Sequence, residues 1–567
     1  MYDLIIRNGT IVDGSGAPAF SGDVAVQGGK IAETGEVSGQ AKRVIDAKGQ
    51  VVAPGIVDIH THYDHQVLWD PLLTSSCWHG VTTLVMGNCG FTIAPCKPEH
   101  RDYLMRMLAR VEGMSLRAMQ EGPPWEWVSM ADYMRRVEQR LSVNVACQVG
   151  HSAVRYYVMG EEATQRQATP EEIGAMKAVV LESLREGAVG FTTSLSRAHV
   201  DWEGNPVPSR FCDADELQEL CGAVGEFGLG AIEIAPRGGL DLTDEDQEEI
   251  LALATRTRRF ITWNELSESP RSPNGRWKEM LEFMERAHAR GARIYGVRSC
   301  RPTTQDFDLK DNNLGLTADP AWLEVLPKPD AEKRRMMTDP AYRAQMRSTI
   351  GERWGEGPAP RWDTAIVSGP KRPEHQELKG LTLRQLGERQ GKHPLDAMID
   401  LSLAEDLKTE FTFLGTRNND PDAIAEIIRS PYSILGVSDA GAHTNMIAGA
   451  EYSTQVLSQW VREKKVLSLE QAIHKMTWMP AKLMGFTDRG LLKPGMAADV
   501  IVFDPDTVGP MEKEKVSDLP GGEERIAIRA KGIAHTIVNG EPLTERGEHT
   551  GSYPGRLIRS TDYARAG

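Results

Sequence analysis

The chain has 567 residues, of which 40% are hydrophobic and 26% are charged, and its formal net charge is −15. This length allows one large domain and a smaller one, and no apolar run approaches the eighteen residues of a membrane span. The acidic balance disfavours nucleic acids and anionic membranes as partners, because both are bound through clustered lysine and arginine.

The first fifty residues are predicted to form short β-strands separated by turns. Residues 2–7 alternate apolar and polar side chains, and Asn8-Gly9 is a pair typical of hairpin turns. Strand patterns return near the other end of the chain, at 499–503 and 533–539. We therefore predict a small β-sandwich domain formed by residues 1–55 together with 487–550.

Residues 56–486 have a different pattern, in which short apolar runs alternate with amphipathic helices. Such alternation is typical of βα repeats around a parallel sheet. Eight predicted strands end at or near His60, 86–88, 145–149, 190–193, 231–234, 260–263, 294–297 and 434–437. Eight is the number that a closed barrel requires. The predicted fold class is therefore α/β, a TIM-like (β/α)₈ barrel that carries the β-sandwich domain.

The stretch at about 300–384 interrupts the repeats before the last predicted barrel strand. It is charged and rich in proline, and residues 331–352 are predicted to be helical. Long insertions are often functional. This one is either a lid over the active site or a surface excursion.

The strongest local chemical pattern is Ile59-His60-Thr61-His62, at the end of the first predicted barrel strand. Residues two apart on a strand face the same side, so His60 and His62 both point into the barrel. Barrel enzymes place their chemistry at this end of the strands. Neutral imidazoles are good ligands for Zn²⁺ and similar ions.

Other polar residues follow predicted strands and are candidates for the same site. Asp439 follows the last strand, where it faces the metal or simply caps a turn. His151, after the third strand, is a catalytic substrate contact, a ligand or a packed imidazole, and His443 lines the pocket, orients Asp439 or caps a helix. Arg237 and Arg298 follow strands 5 and 7 and are candidates to bind a substrate carboxylate.

A set of motifs in fixed order resembles the amidohydrolase superfamily, and within it the D-aminoacylase, or N-acyl-D-amino-acid deacylase, group. The resemblance spans nearly the whole chain, and the ordered set is much more specific than any single motif. The matching segments are 4–9, 54–62, 80–83, 87–90, 150–152 with Arg155, 187–190, 436–441 and 492–500.

The resemblance implies a barrel with a composite β-sandwich, a divalent metal at its mouth and attack of water on an amide carbonyl. It also implies that Cys89 contacts the metal, and that Asp439 is both a metal neighbour and the general base. The chemistry is reasonable in itself. Metal binding lowers the pKa of water towards neutrality, and a carboxylate then moves the proton.

The sequence departs from the deacylase pattern at two positions. Deacylases of this type have a histidine after strand 5 and another after strand 6, whereas this chain has Ala235 and Asn264 there. Losing two nitrogen ligands weakens metal binding by several kcal/mol unless other groups replace them, since favourable zinc sites total about 10–16 kcal/mol. Glu233, Asn264 and Glu265 are possible oxygen donors, and Asn264 is also a candidate substrate contact.

The leading hypothesis is hydrolysis of an amide, such as an N-acyl amino acid, or of a related acyl bond, with one divalent ion, zinc, held by His60, His62, Cys89 and Asp439. The second hypothesis keeps the scaffold but changes the chemistry to ester or lactone hydrolysis, C–C cleavage or decarboxylation of a bulky aromatic substrate. In this hypothesis no metal is needed if the histidines form an acid/base cluster. Aromatic residues near strand ends suggest such a pocket: Trp78, Trp202, Trp263 and Tyr295. The third is a binding protein that has lost its metal.

The remaining expectations concern location and assembly. The N-terminus lacks the features of a signal peptide, and the seven cysteines contain no CxxC pair, so a cytoplasmic protein is expected. The expected partner is a small-molecule substrate. A homo-oligomer is expected because barrels with exposed helices commonly assemble.

Overall fold

The computed structural model describes residues 1–239, 241–269, 276–310, 316, 319–355 and 361–563. Its β-strands are β1 (Tyr2–Ile11), β2 (Phe20–Gln27), β3 (Lys30–Gly35), β4 (Ala41–Asp46), β5 (Val51–Pro54), β6 (Ile56–Thr61), β7 (Val81–Met86), β8 (Asn144–Cys147), β9 (Val149–Gly150), β10 (Gly190–Ser194), β11 (Ala231–Ala235), β12 (Ile261–Asn264), β13 (Ile294–Arg298), β14 (Thr303–Phe307), β15 (Ala365–Gly369), β16 (Glu410–Arg417), β17 (Ser433–Leu435), β18 (Val500–Phe503), β19 (Gly509–Val516), β20 (Arg525–Lys531), β21 (Ile533–Val538), β22 (Glu541–Glu545), β23 (Glu548–His549) and β24 (Leu557–Ile558). Its α-helices are Arg101–Val111, Leu116–Glu121, Met130–Val137, His151–Met159, Pro170–Glu186, Ala214–Phe227, Asp244–Thr257, Arg276–Ala289, Pro320–Val325, Asp330–Thr338, Pro340–Gly355, Arg361–Thr364, Leu383–Gln390, Pro394–Ala404, Pro421–Arg429, Tyr452–Gln455, Leu469–Met476 and Trp478–Leu483. The chain is therefore an α/β protein.

Local sequence explains where the helices begin and end. The helix Pro170–Glu186 starts with a capping box, in which Thr169 accepts a hydrogen bond from the Glu172 N–H and Glu172 accepts one from Thr169. Proline at its first position costs no hydrogen bond, and Gly187 follows its end. Its buried residues recur at helical spacing, so the helix packs one face against the strands.

Strands from both ends of the chain form one nine-stranded sheet. Their order is β23-β22-β21-β18-β5-β1-β2-β3, and β4 pairs with β1. The two ends meet where β5 and β18 run antiparallel, with Pro54 opposite Val500. The C-terminal segment departs from the prediction, because β19 and β20 form a separate hairpin. The chain also extends past residue 550 to β24, which pairs with β8.

The central part contains parallel strands that pair in chain order. One sheet has the order β17-β13-β12-β11-β10-β9, and another contains β24-β8-β7-β6. Only Gln148 separates β8 from β9. A parallel bridge between His60 and Val437, with a hydrogen bond from the Ile59 N–H to the Gly436 carbonyl, links β6 to the segment after β17.

A buried apolar cluster takes residues from these strands or from positions directly beside them. Its members include Val57, Ile59, Val85, Ala146, Val189, Ala231, Phe260, Val297 and Ile434. Full burial of one such large side chain contributes about 1.5–3 kcal/mol. This cluster lies on the same side of β11 as Glu233, because Ala231 and Glu233 are two residues apart.

The excursion before β17 is a packed subdomain and is longer than predicted. Its antiparallel sheet has the order β14-β16-β15, and β16 ends at Arg417, well beyond the predicted limit of 384. It has its own buried cluster, which includes Trp322, Trp354 and Phe413. The periodicity of 331–352 appears as two helices, Asp330–Thr338 and Pro340–Gly355.

The subdomain contacts two segments that follow parallel strands. The Asp306 N–H donates to the Met446 carbonyl at 3.0 Å. The Arg417 guanidinium lies 3.2 Å from the Glu265 carboxylate, directly after β12. The excursion therefore rests on the carboxyl ends of the strands.

Among the described residues, no helix is both long enough and apolar enough to cross a bilayer.

His79 links the hairpin of β19 and β20 to the central part. Its Nδ1 lies 2.8 Å from Thr454 Oγ1, and its Nε2 lies 2.9 Å from the Ile528 carbonyl on β20. Burial lowers the pKa of His79 to about 4, from its usual 6.5.

Acid is therefore expected to destabilise the fold through His79. Between these two pKa values the unfolded chain binds more protons than the folded one, so the stability falls as the pH falls through this window. We expect this histidine to contribute about 2 kcal/mol of lost stability between about pH 7 and about pH 5. Urea unfolding of the wild type and of His79→Gln at both pH values measures the difference. An identical pH dependence in the two proteins would show that His79 is not buried in its neutral form.

Candidate active site

Backbone hydrogen bonds bring the end of β6 against the segment after β17. The Asp439 N–H donates to the His60 carbonyl at 3.2 Å, and the His62 N–H donates to the Ala440 carbonyl at 2.7 Å. Both histidines are buried, whereas 36% of the Asp439 side chain is exposed. The three predicted residues therefore converge at one place, with the carboxylate on the accessible side.

Gly441 allows this close approach. Its φ is +93°, and a Cβ at this position would lie 2.4 Å from the His62 carbonyl oxygen. Asp439 also has a positive φ, of 58°, which is uncommon for a residue with a side chain and is often found at functional sites. The glycine and the turn geometry together hold Asp439 against the two imidazoles.

The distances between these polar atoms are short. Asp439 Oδ1 lies 3.2 Å from His62 Nε2 and 3.6 Å from His60 Nε2. Cys89 Sγ lies 3.6 Å from His60 Nε2, after β7 in a turn where Cys89 has a φ of 55°. Donor atoms of His60, His62 and Cys89 all lie within 4.8 Å of one another.

Asn264, at the end of β12, contacts the same group. Its Nδ2 lies 3.4 Å from His60 Nε2 and 3.5 Å from Cys89 Sγ. Ala235 on β11 has no polar side-chain atom to offer. The site thus lacks both histidines of the deacylase pattern, and an amide occupies one of the two positions.

Two buried glutamates lie behind the histidines. Glu233, on β11, places Oε1 3.8 Å from His60 Nδ1, and its Oε2 accepts a hydrogen bond from the Cys89 N–H at 2.7 Å. Glu112, directly after the helix Arg101–Val111, places Oε1 3.6 Å from His62 Nδ1. Glu233 is the residue considered above as an oxygen donor. No sequence pattern indicates Glu112, because it ends an ordinary helix and belongs to no motif.

Mutual charge interactions dominate the ionisation of this group. Burial opposes a charge on His62, but the carboxylates of Glu112 and Asp439 outweigh it and raise the pKa of His62 to about 10. Burial would raise the pKa of Asp439, yet the neighbouring imidazoles of His60 and His62 hold it well below its usual value. Burial raises the pKa of the Cys89 thiol well above its usual range, with Glu233 adding to the effect.

The donor set fits a divalent cation. Within the described part of the chain, His60 Nδ1 and both ring nitrogens of His62 are buried without a hydrogen-bond partner. Three carboxylates face the two imidazoles, and burial raises the pKa of Glu112 to about 7 and that of Glu233 above its usual value. Uncompensated buried charge is costly, and a bound cation would balance it and favour the Cys89 thiolate.

The contacts of His151 favour the packed imidazole over a catalytic substrate contact or a ligand. Its ring is fully buried, with Nδ1 2.8 Å from Thr193 Oγ1 and Nε2 2.8 Å from Glu216 Oε1. Arg155 also pairs with Glu216. Both ring nitrogens are therefore used in a structural network.

The two predicted arginines also have other partners. Arg237 pairs with Asp246 and Glu249 at 3.1 and 2.7 Å. Arg298 is fully buried and donates to the Leu266 carbonyl at 2.9 Å. These contacts within the fold argue against binding of a substrate carboxylate by either arginine.

His443 does lie beside the cluster. Its N–H donates to the Glu112 carbonyl at 2.6 Å, and its Nε2 is 4.0 Å from Glu112 Oε2. Burial lowers the pKa of His443, and the guanidinium of Arg417 acts in the same direction. Arg417 is therefore a cation near the site that the sequence did not indicate.

The four aromatic residues near strand ends do not form a shared wall. Trp263 is fully buried, and Tyr295 packs against His288. Trp78 lies under the Arg529 guanidinium. Trp202 is 37% exposed and lines a cleft of about 490 Å³.

That cleft is lined by chain segments that follow Glu112 and His443, and none of the four cluster side chains is part of its lining. Its lining includes Gly113 and Met114, which follow Glu112, and Thr444, which follows His443. Phe307 of the subdomain lies on its wall. A volume of this size suits a small molecule.

Known proteins resemble this chain over its full length. D-aminoacylase of Alcaligenes xylosoxydans xylosoxydans is 28% identical over 580 residues, covering 99% of this chain and 98% of the relative. N-acyl-D-glutamate deacylase of the same organism is 28% identical over 563 residues, covering 98% of this chain and 96% of the relative.

Two solved deacylase structures also match this chain over nearly its full length. A D-aminoacylase studied for its binuclear metal centre, with one-metal activation and second-metal attenuation, has a TM-score of 0.68 and 25% identity, covering 99% of this chain and 100% of that one. N-acyl-D-glutamate deacylase of Bordetella bronchiseptica, complexed with zinc and a phosphonate mimic of the tetrahedral intermediate, has a TM-score of 0.69 and 26% identity, covering 98% and 99%. The amidohydrolase family matches residues 43–322 and 358–544. This match covers most of the sequence, so the chain belongs to the amidohydrolase family.

Proposed function

We propose that this protein is a metal-dependent deacylase that hydrolyses the amide bond of N-acyl amino acids. The observation that carries the proposal is the convergence of His60, His62, Cys89 and Asp439 in one cluster. The family relatives are deacylases of N-acyl-D-amino acids, which favours the same substrate class and the D hand here.

We also propose the architecture that presents this site. Eight strand positions form one closed (β/α)₈ barrel: β6, β7, β8 with β9, β10, β11, β12, β13 and β17. The backbone contacts between β6 and the segment after β17 support this closure. The sheet built from both chain ends forms the β-sandwich domain, with residues 1–55 as its first part. The cluster then lies at the carboxyl ends of the barrel strands, where barrel enzymes carry their chemistry.

One zinc ion would be held by His60, His62, Cys89 and Asp439. When bound, zinc lowers the pKa of water and polarises a carbonyl oxygen. A second tightly held ion is disfavoured, because Ala235 supplies no ligand and Asn264 supplies only an amide. In D-aminoacylase, one metal is described as activating and the second as attenuating.

Asp439 would act as the general base and then as the general acid. Its carboxylate is the accessible member of the cluster. It would accept a proton from the water that attacks the amide carbonyl. It would then return that proton to the departing nitrogen, so that a carboxylic acid and a free amino acid are formed.

Arg417 is our candidate for the residue that binds the substrate carboxylate. Its guanidinium lies beside Glu265 and acts electrostatically on His443. A planar guanidinium binds carboxylates through two parallel hydrogen bonds. The cleft of about 490 Å³ would receive the remainder of the substrate.

The proposal is tested by a substrate panel on zinc-loaded protein. N-acetyl derivatives of D- and L-amino acids are compared with aryl esters and lactones, and kcat/KM is measured for each. We expect turnover of N-acyl-D-amino acids, lost with a chelator and restored by zinc. Turnover only of esters or lactones would favour the altered chemistry, and full activity without metal would exclude the metal-dependent mechanism.

Location and assembly remain predictions. The seven cysteines are free thiols, which is typical of proteins in a reducing compartment such as the cytoplasm. A homo-oligomer is expected on general grounds, and light scattering of the purified protein measures the assembly.

A further inference from the structure

Each imidazole of the cluster has two different environments on its two ring nitrogens. His60 Nε2 faces Asp439 and Cys89, whereas His60 Nδ1 faces Glu233 at 3.8 Å. His62 Nε2 faces Asp439 at 3.2 Å, whereas His62 Nδ1 faces Glu112 at 3.6 Å. The same arrangement therefore occurs twice, with a separate glutamate for each ring.

Among the described residues, neither glutamate forms an ion pair with a lysine or an arginine. Their side chains are only 3% and 4% exposed. Among the described residues, the ion-pair partners of Glu112 are His62 and His443, and that of Glu233 is His60. A buried carboxylate is costly without a compensating partner. Their placement is therefore best explained by what they do to the histidines.

The backbone holds both carboxylates in place. Glu233 Oε2 accepts the Cys89 N–H at 2.7 Å, and its Oε1 lies 3.8 Å from His60 Nδ1 and 4.0 Å from Cys89 Sγ. Glu112 is held at the end of its helix, where its N–H donates to Leu108 and its carbonyl accepts the His443 N–H. These contacts limit how far either carboxylate can move if the neighbouring imidazole rotates.

We propose that Glu112 and Glu233 are positioning residues that orient the rings of His62 and His60 for metal binding. A carboxylate at Nδ1 favours the tautomer that carries its proton there, which leaves the Nε2 lone pair for the ion. It also makes the imidazole a stronger ligand. This inference rests on the proposed function, and it explains how the site compensates for the absent nitrogen ligands at Ala235 and Asn264.

The test measures metal affinity rather than turnover. Zinc affinity is determined by competition with a chromogenic chelator for the wild type, Glu112→Gln and Glu233→Gln. Each glutamine variant keeps the side-chain shape but loses the charge, and we expect affinity to fall about 10- to 100-fold. Cobalt-substituted protein gives a second readout, because a shifted thiolate-to-cobalt charge-transfer band reports a changed ligand geometry.

A matched control comes from the subdomain. Glu405 is a buried glutamate that contacts His375 Nδ1 at 2.8 Å, away from the cluster. Glu405→Gln is expected to bind zinc with wild-type affinity. Glu112→Asp and Glu233→Asp keep the negative charge, but their shorter side chains hold it farther from the imidazole. If the glutamates position the rings, both aspartate variants are expected to bind zinc more weakly than the wild type.

The outcomes separate this inference from the proposed function. Zinc affinity within twofold of the wild type in both glutamine variants overturns the inference and leaves the deacylase proposal standing. Wild-type affinity in both aspartate variants also overturns it, because charge alone would then suffice. A wild-type protein that binds no zinc overturns both. Should Glu233→Gln fail to fold, Glu112→Gln decides the matter, since its side chain does not support the Cys89 turn.

Discussion

The His60→Ala/His62→Ala double variant is expected to lose its bound zinc and to deacylate N-acyl-D-amino acids at least about a thousandfold more slowly. Two of the four proposed ligands disappear, and a loss of about 4 kcal/mol in metal affinity corresponds to this factor. Metal analysis of the dialysed protein and kcat/KM for N-acetyl-D-amino acids measure the two effects.

The control is a second double variant in the terminal sheet. His535 lies on β21 and His549 on β23, so His535→Ala/His549→Ala removes two imidazoles without touching the cluster. It should keep its zinc and its activity. Retention of one equivalent of zinc in the His60→Ala/His62→Ala protein would mean that the ion binds elsewhere.

Asp439→Asn is expected to lower kcat by about 10²- to 10⁴-fold, the usual contribution of a general acid–base group. Asparagine keeps the size of the side chain but cannot accept a proton from water. Zinc should be lost less completely than in the double histidine variant, because His60, His62 and Cys89 remain. Steady-state kinetics on zinc-saturated protein separates the proton-transfer role from metal affinity.

Asp504→Asn provides the comparison for this variant. Asp504 accepts hydrogen bonds in a turn after β18, so its replacement tests for general effects of losing a carboxylate. Should Asp439→Asn keep more than a tenth of the wild-type kcat under zinc saturation, another group would have to carry the proton.

The sequence predicts that His60, His62 and Asp439 converge, and the structure brings them together because their positions follow from strand geometry. The two-residue spacing of His60 and His62 places both rings on one face, and Asp439 follows the last strand of the series. The superfamily resemblance, confirmed by the family match, added Cys89. The location of these side chains could be predicted because it depends only on the direction of a strand and on a position at its end.

Other candidate residues also follow strands but have partners inside the fold. His151 turns to Thr193 and Glu216, and Arg298 is buried beneath the segment at Leu266. No local pattern distinguishes these residues from Asp439. Glu112 was missed for the opposite reason, because it ends a helix and reaches His62 only through the packing of that helix.

The sequence by itself determined the α/β class, the sheet shared by the two chain ends and the principal ligand candidates, because periodicity and motif order are properties of the chain. Only the tertiary structure decided which polar residues share a cavity and which satisfy one another inside the fold. It also decided the extent of the subdomain up to Arg417 and the two glutamates behind the histidines. Such contacts join residues more than thirty positions apart in the chain, and their geometry depends on packing that no local pattern specifies.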